Sequence, residues 1–216
     1  MYKVFIENKP LYFVESTKDL PKDTFFLFGG LDQNQVESIT KVYKEKNNSL
    51  IFAVVAKNTL KAMLKSFSHY QYIEAAGGIV EKKKNGMLLF IKRNGFWDIP
   101  KGKLEKNEDG IAGAKREIEE ECGISGLKFR KNICSTYHTY EHKGKMVLKK
   151  TYWFAFLYAG KEKLTAQTEE GITKVKWFEV DNLFKIRKNT FASIAEVLNN
   201  FIELNAVSKK IKQKNK

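Results

Sequence analysis

Three glutamates in this chain fall at positions where an α-helix would bring them together: Glu117, Glu120 and Glu121. At i, i+3 and i+4 their carboxylates project from one face of a helix, within a few ångströms of one another. So placed, they raise each other's pKa and weaken the helix unless a cation neutralises them. A site built only from oxygen ligands favours Mg²⁺ or Mn²⁺ over zinc. The spacing therefore points to a divalent-metal centre on an acidic helix running from about Asp109 to Glu121 and stopped at Gly123. A loop rich in glycine and proline, Arg93 to Gly102, precedes it.

The full pattern is Gly102-x5-Glu108-x7-Arg116-Glu117-Ile118-x-Glu120-Glu121-x-Gly123-Ile124. It resembles the Nudix box and matches it at every specified position, a coincidence expected at random on the order of 10⁻¹⁰ per starting residue. The resemblance implies roles for these residues. Glu117, Glu120 and Glu121, with the backbone carbonyl of Gly102, would hold Mg²⁺, for which Mn²⁺ could substitute. Arg116 would pair with Glu108 to fix the loop on the helix, and Glu108 would also reach metal-bound water. The reaction implied is cleavage of a phosphoanhydride bond by metal-activated water. Members of the family carry the general base either in the box or on a later loop. Glu120 is the first candidate here, and Glu169 or Glu170, in Gln167-Thr168-Glu169-Glu170-Gly171, the second.

For the substrate, Trp97-Asp98-Ile99-Pro100-Lys101-Gly102 and Lys149-Lys150-Thr151-Tyr152-Trp153-Phe154-Ala155 are most similar to the diadenosine polyphosphate and diphosphoinositol polyphosphate hydrolases within the family. Tyr140 stands 17 residues beyond Gly123, where the former often carry a tyrosine able to stack on a base. Arg93, Lys101, Lys103 and Lys149, with Lys92 and Lys150, flank the box in sequence and suit a polyphosphate chain, Arg93 best among them. His138 and His142 read as loop residues and receive no role. A dinucleoside polyphosphate such as diadenosine tetraphosphate is the first expectation. Nucleoside triphosphates, ADP-ribose, an inositol pyrophosphate and the 5′ end of RNA are alternatives within the family, RNA being favoured by the net charge. A catalytically idle Nudix-fold binding module is the alternative of another class, and the unbroken carboxylate set argues against it.

The elements that would position these groups form an α/β chain in two parts. Residues 1–70 read as a small N-terminal α/β domain of unassigned role: a strand pair over Tyr2–Val14 turning at Glu7-Asn8-Lys9-Pro10, a strand Thr24–Phe28, a helix Asp32–Lys46, a strand Ser49–Val55 and a helix Thr59–Phe67. Residues 71–205 read as the hydrolase domain, for which the resemblance implies an α/β/α sandwich around a mixed sheet. Its strands are Ala75–Glu81, Met87–Lys92, Thr151–Tyr158 and Val175–Val180, and its last helix spans about Phe191–Leu204. Residues 206–216, with Lys209, Lys210, Lys212, Lys214 and Lys216, read as a basic, frayed tail.

Composition sets the outer bounds. The 216 residues are 43% hydrophobic, enough to bury a core, and carry a formal charge of +14, which attracts polyphosphates, nucleic acid or anionic lipid alike. No apolar run approaches the ~20 residues of a membrane span, and no targeting segment is readable, so a cytoplasmic protein without a membrane partner is expected. Cys122 and Cys134 read as reduced thiols. A homodimer is a further expectation.

Overall fold

A computed structural model of the chain describes residues 1–45 and 49–214, with side chains as far as residue 207. It divides into two compact units: Met1–Ile73 with Thr136–Lys150, and Glu74–Ser135 with Thr151–Lys216. The boundary expected at residue 70 thus falls after Ile73. Residues 136–150, assigned from sequence to the hydrolase domain, join the first unit because β1 (Tyr2–Ile6) pairs in parallel with β9 (Lys128–His142) through Val4↔Tyr137 and Phe5↔His138. Local spacing cannot reveal a pairing so distant in sequence.

In the first unit, β1 turns into β2 (Lys9–Val14) through Glu7 and Asn8, both at positive φ as a two-residue hairpin loop requires. The strands β3 (Thr24–Phe28) and β4 (Ile51–Val55) extend the sheet by parallel pairing, β4 lying between β2 and β3. Helix α1 (Gln33–Lys44) starts at a capping box in which Asp32 accepts from the Gln35 N–H and the Gln35 side chain returns to the Asp32 N–H. Its Val36, Ile39 and Tyr43 pack with Met63 of α2 (Thr59–Ser66) on alternate sheet residues Val4, Ile6, Leu11 and Phe13. Period-two strands meeting period-3.6 helices explain why these elements were legible in advance.

The second unit is an α/β/α sandwich. Its sheet runs β11 (Ile172–Phe178), β6 (Leu88–Arg93), β5 (Gln71–Lys82), β10 (Lys145–Tyr158), β9. Leu89 and Ile91 of β6 face helix α3 (Gly110–Cys122) through Ala114, Ile118 and Cys122. Leu88 and Phe90 face the opposite side, against Ile194, Val197, Leu198 and Phe201 of α5 (Ala192–Lys214). Two layers of helix on an alternating strand thus form two cores. Neither cysteine takes part in a disulfide.

Four details depart from expectation. The loop Arg93–Gly102 contains two three-residue strands, β7 (Phe96–Asp98) on β6 and β8 (Lys101–Lys103) on β5, which its glycines and proline disguise. Most of β9 is polar and half-exposed, so no apolar alternation announces it, and His138 and His142 stand on a strand, not in a loop. A short helix α4, Leu183–Arg187, was not anticipated. Helix α5 continues to Lys214, where a frayed tail was expected; Lys216 lies outside the described residues, as do the side chains of Lys209, Lys210, Lys212 and Lys214. Among the described residues, no helix is long and apolar enough to cross a membrane.

Two adjacent glycines hold β5 in place. A Cβ on Gly77 would overlap Lys101 and the Pro100 carbonyl, and one on Gly78 would come within 2.6 Å of the Phe156 ring and 2.7 Å of the Phe154 carbonyl. The Gly78 N–H also bonds the Pro100 carbonyl at 3.2 Å. Overpacking a close-packed core costs roughly 1–3 kcal/mol. Gly78→Ala is therefore expected to lower unfolding free energy by about that much, read from the midpoint of a urea titration; an unchanged midpoint would show that the strand can move away.

Candidate active site

The acidic helix α3 is fixed at both ends. Asp109 caps it, its side chain accepting from the Ile111 and Ala112 N–H groups at 2.9 and 3.1 Å. Gly123 ends it at φ +66°, where a Cβ would meet Thr165 at 2.7 Å. The segment before it is pressed close. Gly102, paired with Ala76 across β5 and β8, has the Glu117 carboxylate where a Cβ would stand. Gly113 likewise admits Leu104 and Glu108 of the loop between β8 and α3.

Arg116 locks that loop to the helix. Its Nε and Nη2 donate to the two oxygens of Glu108, each at 2.9 Å, and Nη2 also reaches the Lys103 carbonyl at 3.1 Å. The fork is bidentate, the geometry that guanidinium and carboxylate share. Nη1 turns to the acidic face, 2.8 Å from Glu117 and 3.3 Å from Glu120. Bonding to Arg116 and to the Glu105 N–H holds the Glu108 carboxyl at about 2, and Glu108 in turn raises Arg116.

Glu121 is the buried member, 1% exposed. Burial pushes its carboxyl up to about 7, against the pull of the Lys101 charge, the Lys101 N–H and Arg93, and with a further push from Asp98. Its Oε2 accepts from the Lys101 N–H at 2.9 Å, and its Oε1 lies 3.8 Å from Arg93 Nη1. The Nη2 of the same guanidinium donates to Glu170 Oε2 at 2.8 Å. Glu170 closes a short 3-10 turn, Thr168–Glu170, whose approach is tied to the end of α3 by Thr165 N–H to Cys122 carbonyl at 3.0 Å. Arg93 thus joins the downstream acidic turn to the box.

The structure brings Gly102, Glu108, Arg116, Glu117, Glu120, Glu121, Arg93 and Glu170 together in the second unit. The Lys101 ammonium is bonded to Asp98, a residue to which the sequence assigned no role. The signal was a carboxylate inside an apolar run, three residues before a lysine. The Lys103 side chain is exposed, and its carbonyl serves Arg116. Tyr140 and Lys149 belong to the first unit, where Tyr140 stacks on His138 at 5.6 Å and 26°.

Among the described residues no three His, Cys, Asp or Glu side chains are already gathered in a metal-binding arrangement. Arg116 and the Lys101 N–H hold the carboxylates instead. The donor set still fits a hard divalent ion. Three carboxylates on adjacent turns supply oxygen only, and the missing side chain of Gly102 leaves its backbone open against Glu117.

The NUDIX domain family model matches residues 71–201, well over half of the chain. The chain belongs to the Nudix family. An RNA pyrophosphohydrolase of Pelagibacter ubique is 28% identical over 145 residues, covering 56% of this chain and 91% of that protein. The mRNA-decapping protein g5R of African swine fever virus is 30% identical over 135 residues, covering 58% of this chain and 52% of the viral protein. Among solved structures, a binary complex of a C. elegans Ap4A hydrolase aligns with a TM-score of 0.47 at 24% identity, covering 62% of this chain and 98% of that one. The Nudix assignment makes this protein a pyrophosphohydrolase, of a class that uses divalent metal ions.

The Glu108–Arg116 lock has a pH signature. A carboxyl held at about 2 when folded, against 4.5 as its ordinary value, contributes stability that is complete above about 4.5 and lost as pH falls toward 2. Thermal unfolding across that window should show the wild type falling more steeply than Glu108→Gln, whose curve lacks this contribution; parallel curves would show that the lock is energetically idle.

Proposed function

We propose that this Nudix pyrophosphohydrolase uses Mg²⁺, with Mn²⁺ as a substitute, to cleave a phosphoanhydride bond of a nucleoside diphosphate-linked substrate, a dinucleoside polyphosphate such as diadenosine tetraphosphate first among them. The observation that carries the reaction is the acidic face of α3, with Glu117 against Gly102, Glu121 buried behind it and the Arg116–Glu108 fork fixing the loop. Carrying three carboxylates on adjacent turns of one helix is costly unless a divalent cation is their purpose.

Glu117, Glu120, Glu121 and the Gly102 carbonyl would hold the ion. When bound, it supplies Lewis-acid charge to the phosphoanhydride oxygens and makes water a nucleophile at neutral pH. Glu120 is 48% exposed and only 3.3 Å from Arg116, the least committed of the three, and takes the proton of the attacking water. Glu170, held by Arg93 at 2.8 Å, is the second candidate for that proton. Arg93 and Lys103 face the phosphate chain as cations. Tyr140 and Lys149 are side chains of the first unit.

The substrate rests on the likeness of Trp97–Gly102 to dinucleoside polyphosphate hydrolases. Hydrolysis of the 5′-polyphosphate end of RNA is the second reading, favoured by the +14 charge and by two relatives named for RNA chemistry. A cytoplasmic location is compatible with either substrate.

A product-mass screen with Mg²⁺ over diadenosine polyphosphates, nucleoside triphosphates, ADP-ribose, an inositol pyrophosphate and triphosphorylated RNA tests the proposal. Turnover of diadenosine tetraphosphate above the rest is expected, and a preference for RNA with a KM that climbs steeply with salt would move the assignment to the second reading. Silence throughout, with Mn²⁺ also tried, would overturn both. Glu120→Gln should lower kcat by roughly 10²- to 10⁴-fold at an unchanged thermal midpoint.

A further inference from the structure

The corner between β7 and β8 holds an ion pair with no place in the chemistry so far. Asp98 ends β7 opposite Ile91, and Lys101 begins β8 opposite Gly77. Their side chains are bonded to each other with only 5% and 12% exposure. The second oxygen of Asp98 accepts from the Ile99 N–H at 2.7 Å, and the ammonium also reaches the Ile99 carbonyl at 3.5 Å. The corner is rigid around them: the Pro100 carbonyl is bonded by the Gly78 N–H, and Gly77 is packed onto Lys101.

Lys101 stands at the metal face twice over. Its N–H holds Glu121 Oε2 at 2.9 Å, while its ammonium sits on a long flexible stem rooted at the same residue. A cation so rooted has two carboxylates to choose from, Asp98 and Glu121, and the charges of both Lys101 and Asp98 act on Glu121. On Glu121 it would occupy a charge that a divalent ion needs. On Asp98 it leaves the Glu121 carboxylate with the Lys101 N–H, which orients one oxygen without neutralising it, and with Arg93 at 3.8 Å from the other.

We propose that Asp98 is a positioning residue that draws the Lys101 ammonium away from Glu121, keeping that carboxylate available to the metal while the Lys101 N–H orients it. This rests on the metal-dependent reading of the site. It also assigns Lys101 to the metal support and away from the phosphate chain. Residues behind a metal's direct ligands typically affect its affinity by 10- to 100-fold. The logic here is more specific, because the harm of losing Asp98 comes through the Lys101 ammonium, a second cation added to the Arg93 that already lies 3.8 Å from Glu121.

The test is Mn²⁺ binding by the full chain, followed by calorimetry and by the signal of the free ion, with thermal unfolding as a check on folding. Asp98→Asn should weaken binding about tenfold or more, and Asp98→Asn combined with Lys101→Met should restore it, because the competing charge is gone. With a turnover substrate in hand, Asp98→Asn should raise the metal concentration needed for half-maximal rate and leave kcat at saturating metal largely intact. Lys101→Met alone should bind at least as tightly as the wild type. A double variant no better than Asp98→Asn, or a Lys101→Met chain that loses affinity, would overturn the proposal, and the latter remains readable even if Asp98→Asn does not fold. A wild-type chain that binds no Mn²⁺ or Mg²⁺ would instead bring down the metal reading itself.

Discussion

The placing of Glu117, Glu120 and Glu121 on adjacent turns of α3 is the constraint around which the second unit is arranged. Three carboxylates on adjacent turns of one helix weaken that helix, and α3 is held by other means. Asp109 satisfies its first N–H groups, Gly123 closes its last turn, and Ile118, Ala114 and Cys122 bury its opposite face. The hydrophobic contact with β6 keeps the acidic face in position regardless of what neutralises it. Arg116 then spends one guanidinium on both problems, clamping Glu108 with two nitrogens and facing Glu117 and Glu120 with the third.

Close backbone approach does the rest of the positioning. Gly102 and Gly113 are small because a carboxylate or a loop occupies the space a side chain would take, whereas Gly123 is needed for its left-handed turn as well. These are requirements of different kinds, and they explain why the box is specified over so long a stretch. Strand β8 sets Gly102 by pairing with β5, the loop from Leu104 returns over Gly113, and α3 carries the acids back to the strand. A residue inserted within α3 between Ala114 and Glu117 would turn the carboxylates roughly 100° from the face that Ala114 sets.

The same circuit explains what the sequence could and could not disclose. Helix spacing alone places Glu117, Glu120 and Glu121 on one face, and the capping and stop residues are visible as Asp109 and Gly123. Charge is visible too, but its partner is not: Arg93 and Lys101 were expected to meet phosphate, and in the structure their cations meet Glu170 with Glu121, and Asp98. Asp98 went unremarked because a single acid between Trp97 and Ile99 has no periodic signature. Strand β9 was hidden by its polarity, and with it the transfer of residues 136–150 to the first unit. Pairings that join residues over a hundred positions apart leave no mark in local spacing.

The overall charge of +14 is a poor guide to the field at this site. Arg93, Lys101, Lys103 and Arg116 stand among Asp98, Glu108, Glu117, Glu120, Glu121 and Glu170, and three of those four cations are bonded or paired to carboxylates. Acids outnumber bases in this group. An anionic polyphosphate therefore meets a locally acidic surface unless a divalent cation accompanies or precedes it. The basic remainder of the surface acts at longer range, raising the encounter rate with any polyanion and fading with salt. On the proposed reading, attraction and catalysis are thus set by different charges, and selectivity among phosphate-bearing substrates falls to the few groups near the acidic face.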